Sequence, residues 1–64
     1  MTGDHFNAGD RVLTADMTTG TIVRINAHGW HDVILDTGQH RQYDASRLAG
    51  AADALRVWGI DVTA

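Results

Sequence analysis

The sequence predicts an all-β domain built from about five short strands. Three observations predict it. Residues that favour strands are gathered in short runs, glycine-containing polar segments separate these runs, and 64 residues leave room for a single domain. A domain of this size buries only about 60% of the surface that its unfolded chain exposes. The chain has no cysteine, so packing rather than disulfides must stabilise it.

Each predicted strand lies between turn signals. Gly9-Asp10 opens the first strand, and a polar loop over residues 16–20 follows it. The segment 36–38 predicts a hairpin, because Gly38 can take the positive φ that a tight turn requires. A loop of two residues and one of three would give different registers, so Val33, Leu35 and Tyr43 are not assigned to one face. The four predicted strands are 11–15, 21–25, 31–35 and 39–43.

The last third of the chain leaves two alternatives open. Residues 44–48 predict a single helical turn, with Leu48 closing one end of the core. Beyond it, apolar residues at helical spacing and Gly59 at the C′ position favour a short helix over 51–58. The alternative makes residues 55–58 the fifth strand, with 60–62 a closing strand or a tail. The predicted single domain divides into an N-terminal arm (1–8), a barrel core (9–48) and a C-terminal helix or closing strand (49–64).

Composition argues against several classes of function. Five arginines and eight aspartates give a net charge of −3, which disfavours nucleic acid as the partner. No apolar run approaches the roughly 20 residues that span a bilayer, so no membrane contact is expected. Because the chain has no cysteine, we expect a cytoplasmic location. The bias towards Arg, Asp, Ala and Gly suggests a bacterial or phage gene of high GC content.

No motif for catalysis, a cofactor or a metal is recognised. The seven glycines are dispersed among turns, so no phosphate-binding loop is predicted. Ser46 is the sole serine, and no histidine and carboxylate can be assigned to activate it. His28, His31 and His40 do not define a three-ligand zinc site and are better explained as polar surface residues. The protein is therefore not expected to be an enzyme.

The order of strand and turn segments resembles the Tudor and KOW branches of small SH3-like barrels. The resemblance covers about three quarters of the chain and implies architecture more than function. Tudor domains hold methylated lysine or arginine in an aromatic cage. Here Thr37 replaces the aromatic that usually follows the hairpin aspartate, so ordinary packing of the rings is the expectation. The matching segments are 9–12, 20–25 and 33–38, followed by Tyr43 and Leu48.

The leading hypothesis is a non-catalytic, protein-binding module that acts as a regulatory or accessory protein. A hairpin that turns at 36–38 brings Trp30 and Tyr43 to the same end of the barrel, and tryptophan and tyrosine are frequent anchors in interfaces. The alternative explanation is that both rings belong to the core, since a small chain needs its large side chains there. The residues predicted to rim the partner site are His28, Asp32, Arg41 and Asp44.

Two further hypotheses remain open. A KOW-like module could present Arg24, Arg41 and Arg47 to a nucleic-acid backbone, provided that strands two to four bring them onto one surface. The chain could also be a barrel subunit of an oligomeric enzyme. The sequence does not determine the oligomeric state or the identity of a partner.

Overall fold

A computed structural model describes residues 6–63, and it contains one five-stranded antiparallel sheet followed by a short helix. The strand order across the sheet is β4-β3-β2-β1-β5. The predicted all-β class is therefore confirmed. The strands are β1 (Arg11–Thr14), β2 (Thr19–Ile25), β3 (Trp30–Leu35), β4 (His40–Asp44) and β5 (Leu48–Gly50).

Three consecutive hairpins use the same kind of turn. At the β3–β4 turn, Leu35 N–H donates to the Gln39 carbonyl at 2.8 Å, and Gly38 N–H donates to the Leu35 carbonyl at 2.8 Å. The same pair of bonds closes the loops 15–17 and 27–29. The last loop residue has positive φ in each case: 63° at Met17, 87° at Gly29 and 96° at Gly38. The prediction for Gly38 is confirmed, and the loop that sequence left open has three residues.

That turn sets the β3–β4 register and with it the core. Val33 lies opposite Arg41 and His31 opposite Tyr43, so Val33, Leu35 and Tyr43 point to one face of the sheet. We call this the core face. Its buried side chains form one cluster, on which Phe6 and Leu48 pack. The buried members are Val12, Ile22, Val33, Leu35 and Tyr43.

The opposite side, the outer face, is covered by the C-terminal segment where it crosses β1. Leu13 packs there with Ala54 and Val62 in a second buried cluster. Arg11 holds the tail against the sheet, because its Nε donates to the Val62 carbonyl at 2.7 Å. Its other guanidinium nitrogens form a bidentate pair with Asp36, with both bonds at 2.7 Å. Strand β1 therefore has buried apolar side chains on both faces of the sheet: Val12 in the first cluster and Leu13 in the second.

The structure distinguishes between the two C-terminal alternatives. A 3-10 turn at Ala45–Arg47 confirms the predicted helical turn, and β5 follows it directly and pairs with β1. The fifth strand is therefore Leu48–Gly50, and assigning it to 55–58 is wrong. Those residues belong to a helix that we call α1. Its first turn, Ala51–Asp53, is α-helical, and the rest, Ala54–Trp58, has the wider winding of a π-helix. Gly59 ends it in the left-handed conformation at φ 69°, as predicted.

The sheet does not close into a barrel, which corrects one part of the predicted architecture. In the described range, β4 and β5 are its two edges, and the three-residue β5 pairs only with β1. Residues 1–5 of the predicted N-terminal arm lie outside the described residues. Within residues 6–63, no helix has the length and apolar character needed to cross a membrane.

Candidate binding surface

Trp30 and Tyr43 come to the same end of the sheet but from opposite faces. Trp30 lies opposite Asp44 on the outer face, whereas Tyr43 lies opposite His31 on the core face. Trp30 is 46% exposed, and Tyr43 is only 8% exposed. Tyr43 is thus a core residue, while Trp30 is available at the surface. Both still line one recess of about 370 Å³, because they border the same strand ends.

A second recess adjoins the first. It has a volume of about 330 Å³ and lies between the β1–β2 loop, the 3-10 turn and the end of the helix. Trp58, which is 50% exposed, forms part of its wall. Ala15 and Arg47 line both recesses and therefore mark the boundary between them. We call the two recesses together the loop-end surface. Its other main lining residues are Met17, Leu48 and Ala49 in the second recess, and Asp16, Gln42 and Asp44 in the first.

Met17 occupies a backbone position that costs conformational energy. It is the last residue of its loop, where the two equivalent hairpins have Gly29 and Gly38. For a residue with a Cβ, the left-handed conformation is less favourable by roughly 1–2 kcal/mol. The Met17 side chain is nevertheless 53% exposed and lines the second recess. Backbone strain of this kind is often found at functional sites.

Hydrogen bonds hold the β1–β2 loop in place. The Tyr43 hydroxyl donates to Asp16 Oδ2 at 2.9 Å, which ties the loop to β4. Burial, and then this bond to a carboxylate, raise the pKa of Tyr43. At the base of the loop, Thr14 Oγ1 accepts from the backbone N–H groups of Asp16 and Thr18 at 3.3 and 3.4 Å. The loop that displays Met17 is therefore fixed to the folded sheet before any partner arrives.

The structure separates the four predicted rim residues. Asp44 lines the Trp30 recess, as the hairpin geometry implied. His28 lies in the β2–β3 turn and Arg41 lies opposite Val33, and neither lines a recess of the loop-end surface. Asp32 is 3% exposed, which is incompatible with a role as an accessible rim residue. Of the six predicted site residues, the Trp30 recess unites Trp30, Tyr43 and Asp44.

Asp32 belongs to a polar network at the centre of the outer face. Its Oδ1 accepts a hydrogen bond from Gln42 Nε2 at 2.7 Å, and its Oδ2 accepts from Arg24 Nε at 3.1 Å. The bond from Gln42, and then the positive charge of Arg24, hold the pKa of Asp32 below its usual value. This network joins strands β2, β3 and β4, so it supports the sheet that carries the loop-end surface.

The three arginines of the nucleic-acid hypothesis do not share one surface. Arg24 lies on the outer face and forms an ion pair with Asp32 at 3.1 Å. Arg41 belongs to the opposite face, because it neighbours Gln42 on β4 and strand residues alternate between faces. Arg47 lies in the 3-10 turn. Arg24 and Arg41 therefore lie on opposite faces of the sheet, so the condition that all three arginines share one surface is not met.

The remaining polar and aromatic residues with predicted roles are dispersed. His31 is buried, with Nδ1 2.9 Å from the Gly29 carbonyl, and its ring meets Phe6 edge to face at 5.7 Å. Among residues 6–63, no group of three or more potential metal ligands is found. Of the aromatic residues between positions 6 and 63, Trp30 and Tyr43 line the first recess, and Trp58 lies in the neighbouring one.

Met17, Trp58 and Ala15 belong to the surface but were missing from the predicted site. Met17 carried one usable signal, since its loop could have been aligned with the two glycine-ended loops. Trp58 carried none, because its place depends on how the helix packs beside the first hairpin. Comparison with protein-family models, with curated proteins and with solved structures found no match.

Proposed function

We propose that this chain is a non-catalytic binding module whose loop-end surface takes up a segment of another protein. The observation that carries the proposal is Met17. Met17 has an exposed apolar side chain and a strained, left-handed backbone, at a position where the two equivalent hairpin loops have glycine. Stability alone would favour glycine there, so a ligand-binding role accounts for the methionine.

The chemistry of the surface indicates the class of ligand. Two exposed tryptophans and a methionine offer large apolar contact areas, and methionine adapts readily to different shapes. Asp16, Asp44 and Arg47 border these apolar walls with charges of both signs. Such a mixture suits a peptide or protein segment with two apolar anchor residues, one for each recess. It does not suit a polyanion, because the two carboxylates would repel phosphate groups.

We further propose that the domain is a relative of the SH3-like barrels of Tudor and KOW type. The hairpins β1 to β4, the 3-10 turn and the return of β5 to β1 support this relationship. The main difference from those barrels is that this sheet does not close. An accessory or regulatory role in the cytoplasm of a bacterium, or in its phage, fits a small binding domain that lacks cysteine.

A pull-down from host lysate, followed by binding measurements on the captured protein, tests the proposal. Trp30→Ala and Trp58→Ala should each weaken binding about tenfold or more, as truncation of an aromatic anchor commonly does. Ile34→Ala is the matched control, because Ile34 is an exposed apolar residue outside both recesses. Equal losses in all three variants would contradict the assignment of the surface.

The lysate is used both with and without nuclease treatment. A partner that is retained after nuclease supports recognition of protein. Capture that disappears with nuclease, and weakens steeply as salt rises, would favour the nucleic-acid hypothesis instead.

A further inference from the structure

Within residues 6–63, strand β4 is an edge of the sheet, and its outward backbone groups have no strand partner. The bond from Leu35 N–H to the Gln39 carbonyl fixes which residues of β4 pair with β3. Antiparallel pairing alternates, so Arg41 and Tyr43 bond to β3, and the N–H groups of His40, Gln42 and Asp44 point away from it. Among residues 6–63, no backbone bond outside the regular elements reaches those three N–H groups.

This edge lacks most of the features that usually block pairing between sheets. Edge strands are commonly protected by brevity, proline, charged side chains (lysine above all) or a bulge. Strand β4 has five residues and contains neither proline nor lysine, and its charged residues, Arg41 and Asp44, have opposite signs. Among the described strands, the irregularity in pairing lies in β2, between Ile22 and Arg24. The other edge, β5, has only three residues. β4 is therefore the edge open to an added strand.

The sequence of β4 is complementary to itself when it is read in the antiparallel direction. With Gln42 placed opposite Gln42 of a second copy, His40 lies opposite Asp44 and Arg41 lies opposite Tyr43. Shifting the centre to Arg41 would oppose two arginines, which destabilises a pair of strands. The centred register also uses the full length of the strand. It lets the two Gln42 residues exchange backbone bonds, while Asp44 N–H donates to the His40 carbonyl of the second copy.

We propose that two copies of the chain associate through β4 about a two-fold axis at Gln42, and that they form one continuous antiparallel sheet. The occupant of the edge is a second copy because β4 matches its own reversed sequence: each Asp44 carboxylate lies opposite a His40 ring, which can donate a hydrogen bond to it, and like charges are not opposed. The Gln42 side chain bonds to Asp32 at 2.7 Å within its own chain, so only the backbone of Gln42 is used for the pairing. The association is independent of what the loop-end surface binds. It would place two Trp30 recesses on one assembly, because Asp44 lines that recess.

Sedimentation velocity over a range of concentrations measures the association. The wild-type protein should form a species of twice the 6.9 kDa chain mass. Gln42→Pro removes an outward N–H without touching the β3 ladder, so it should leave a folded monomer. Gln42→Ala is the matched control, because it loses the side-chain bond to Asp32 but keeps the N–H, and it should still dimerise. A monomer up to millimolar wild-type concentration, or a dimer that survives Gln42→Pro, would overturn the proposal.

A charge exchange tests the register. His40→Asp alone would oppose two carboxylates at each end of the paired strands, and Asp44→Arg alone would oppose His40 with a cation. Each variant should weaken its own dimer by roughly tenfold or more, because both His40–Asp44 pairs of the symmetric dimer are lost: His40→Asp replaces them by opposed carboxylates, and Asp44→Arg leaves His40 without a carboxylate partner. Mixed in equal amounts, the two variants should form a heterodimer, since each Asp then faces a basic residue. Circular dichroism confirms that each variant is folded. Failure of the mixture to associate beyond its components would refute this register.

Discussion

A comparison of Met17→Gly with Met17→Ala tests whether the backbone at Met17 is strained. Both variants remove the same side chain beyond Cβ, so the packing lost in the second recess is common to them. What differs is the cost of a Cβ at φ 63°. At an ordinary position, alanine is the more stable of the two. At a left-handed position, the order reverses.

The magnitude follows from two opposing contributions. Alanine in the left-handed conformation costs roughly 1–2 kcal/mol. Glycine loses about 0.4–1 kcal/mol more than alanine on folding, because its unfolded chain is freer. The Met17→Gly protein should therefore unfold with a free energy about 0.5–1 kcal/mol higher than that of Met17→Ala. Gly38→Ala is the matched control, since Gly38 occupies the equivalent position at φ 96°, and it should destabilise the domain.

Urea denaturation followed by circular dichroism gives both free energies, because a single small domain is expected to unfold in two states. The reasoning is refuted if Met17→Ala is the more stable protein while Gly38→Ala behaves as expected. That result would mean that Met17 does not hold the left-handed conformation, and the main support for a functional methionine would be lost.

Three further predictions concern stability. Gly20→Ala should destabilise the domain by about 1–3 kcal/mol, because its Cβ would lie 2.8 Å from a carbonyl oxygen of β3; thermal denaturation measures this, and an unchanged melting temperature would count against the packing. Tyr43→Ala should cost about 3 kcal/mol or more, since the ring is buried, whereas Trp30→Ala should cost about 1 kcal/mol or less; equal costs in denaturant titrations would contradict the assignment of faces. The Asp36 carboxylate is held by Arg11 and Thr19, so its pKa is well below the usual value, and its stabilising effect is present above about pH 4 and lost as the pH falls below that. The acid limb of a stability profile should therefore be shallower in Asp36→Asn, and an identical limb would refute the role of this pair.

Local signals in the sequence predicted much of the fold. Strand-forming runs together with Gly9 and Gly38 located turns, and Gly59 located the end of the helix, because the left-handed conformation selects glycine strongly. The hairpin register was not predictable, since loops of two and three residues are both compatible with Asp36-Thr37-Gly38. The position of β5 was missed because three residues are too few to show a period.

The candidate site was predicted only in part, for reasons of tertiary structure. Hairpin geometry correctly brought Trp30 and Tyr43 to one end, but a difference of one place in the register decides which ring faces the core. The spacing of the apolar residues in 51–58 predicted that Leu55 and Trp58 share one face of the helix with Ala51 and Ala54. The wider winding of the helix breaks that spacing, and Leu55 and Trp58 are both exposed. Asp32 was predicted to be an accessible rim residue, but its carboxylate accepts hydrogen bonds from Arg24 and Gln42 within the sheet.

Site-specific photocrosslinking in the native host is the most direct test of binding through the loop-end surface. A photoreactive phenylalanine analogue is placed at position 58 or 30, where an exposed aromatic already stands, and at position 34 as the control. Irradiation should yield a discrete protein adduct from positions 58 and 30, and little or none from 34. Adducts of equal yield from position 34, or adducts that contain only nucleic acid, would contradict the proposal that this surface binds protein.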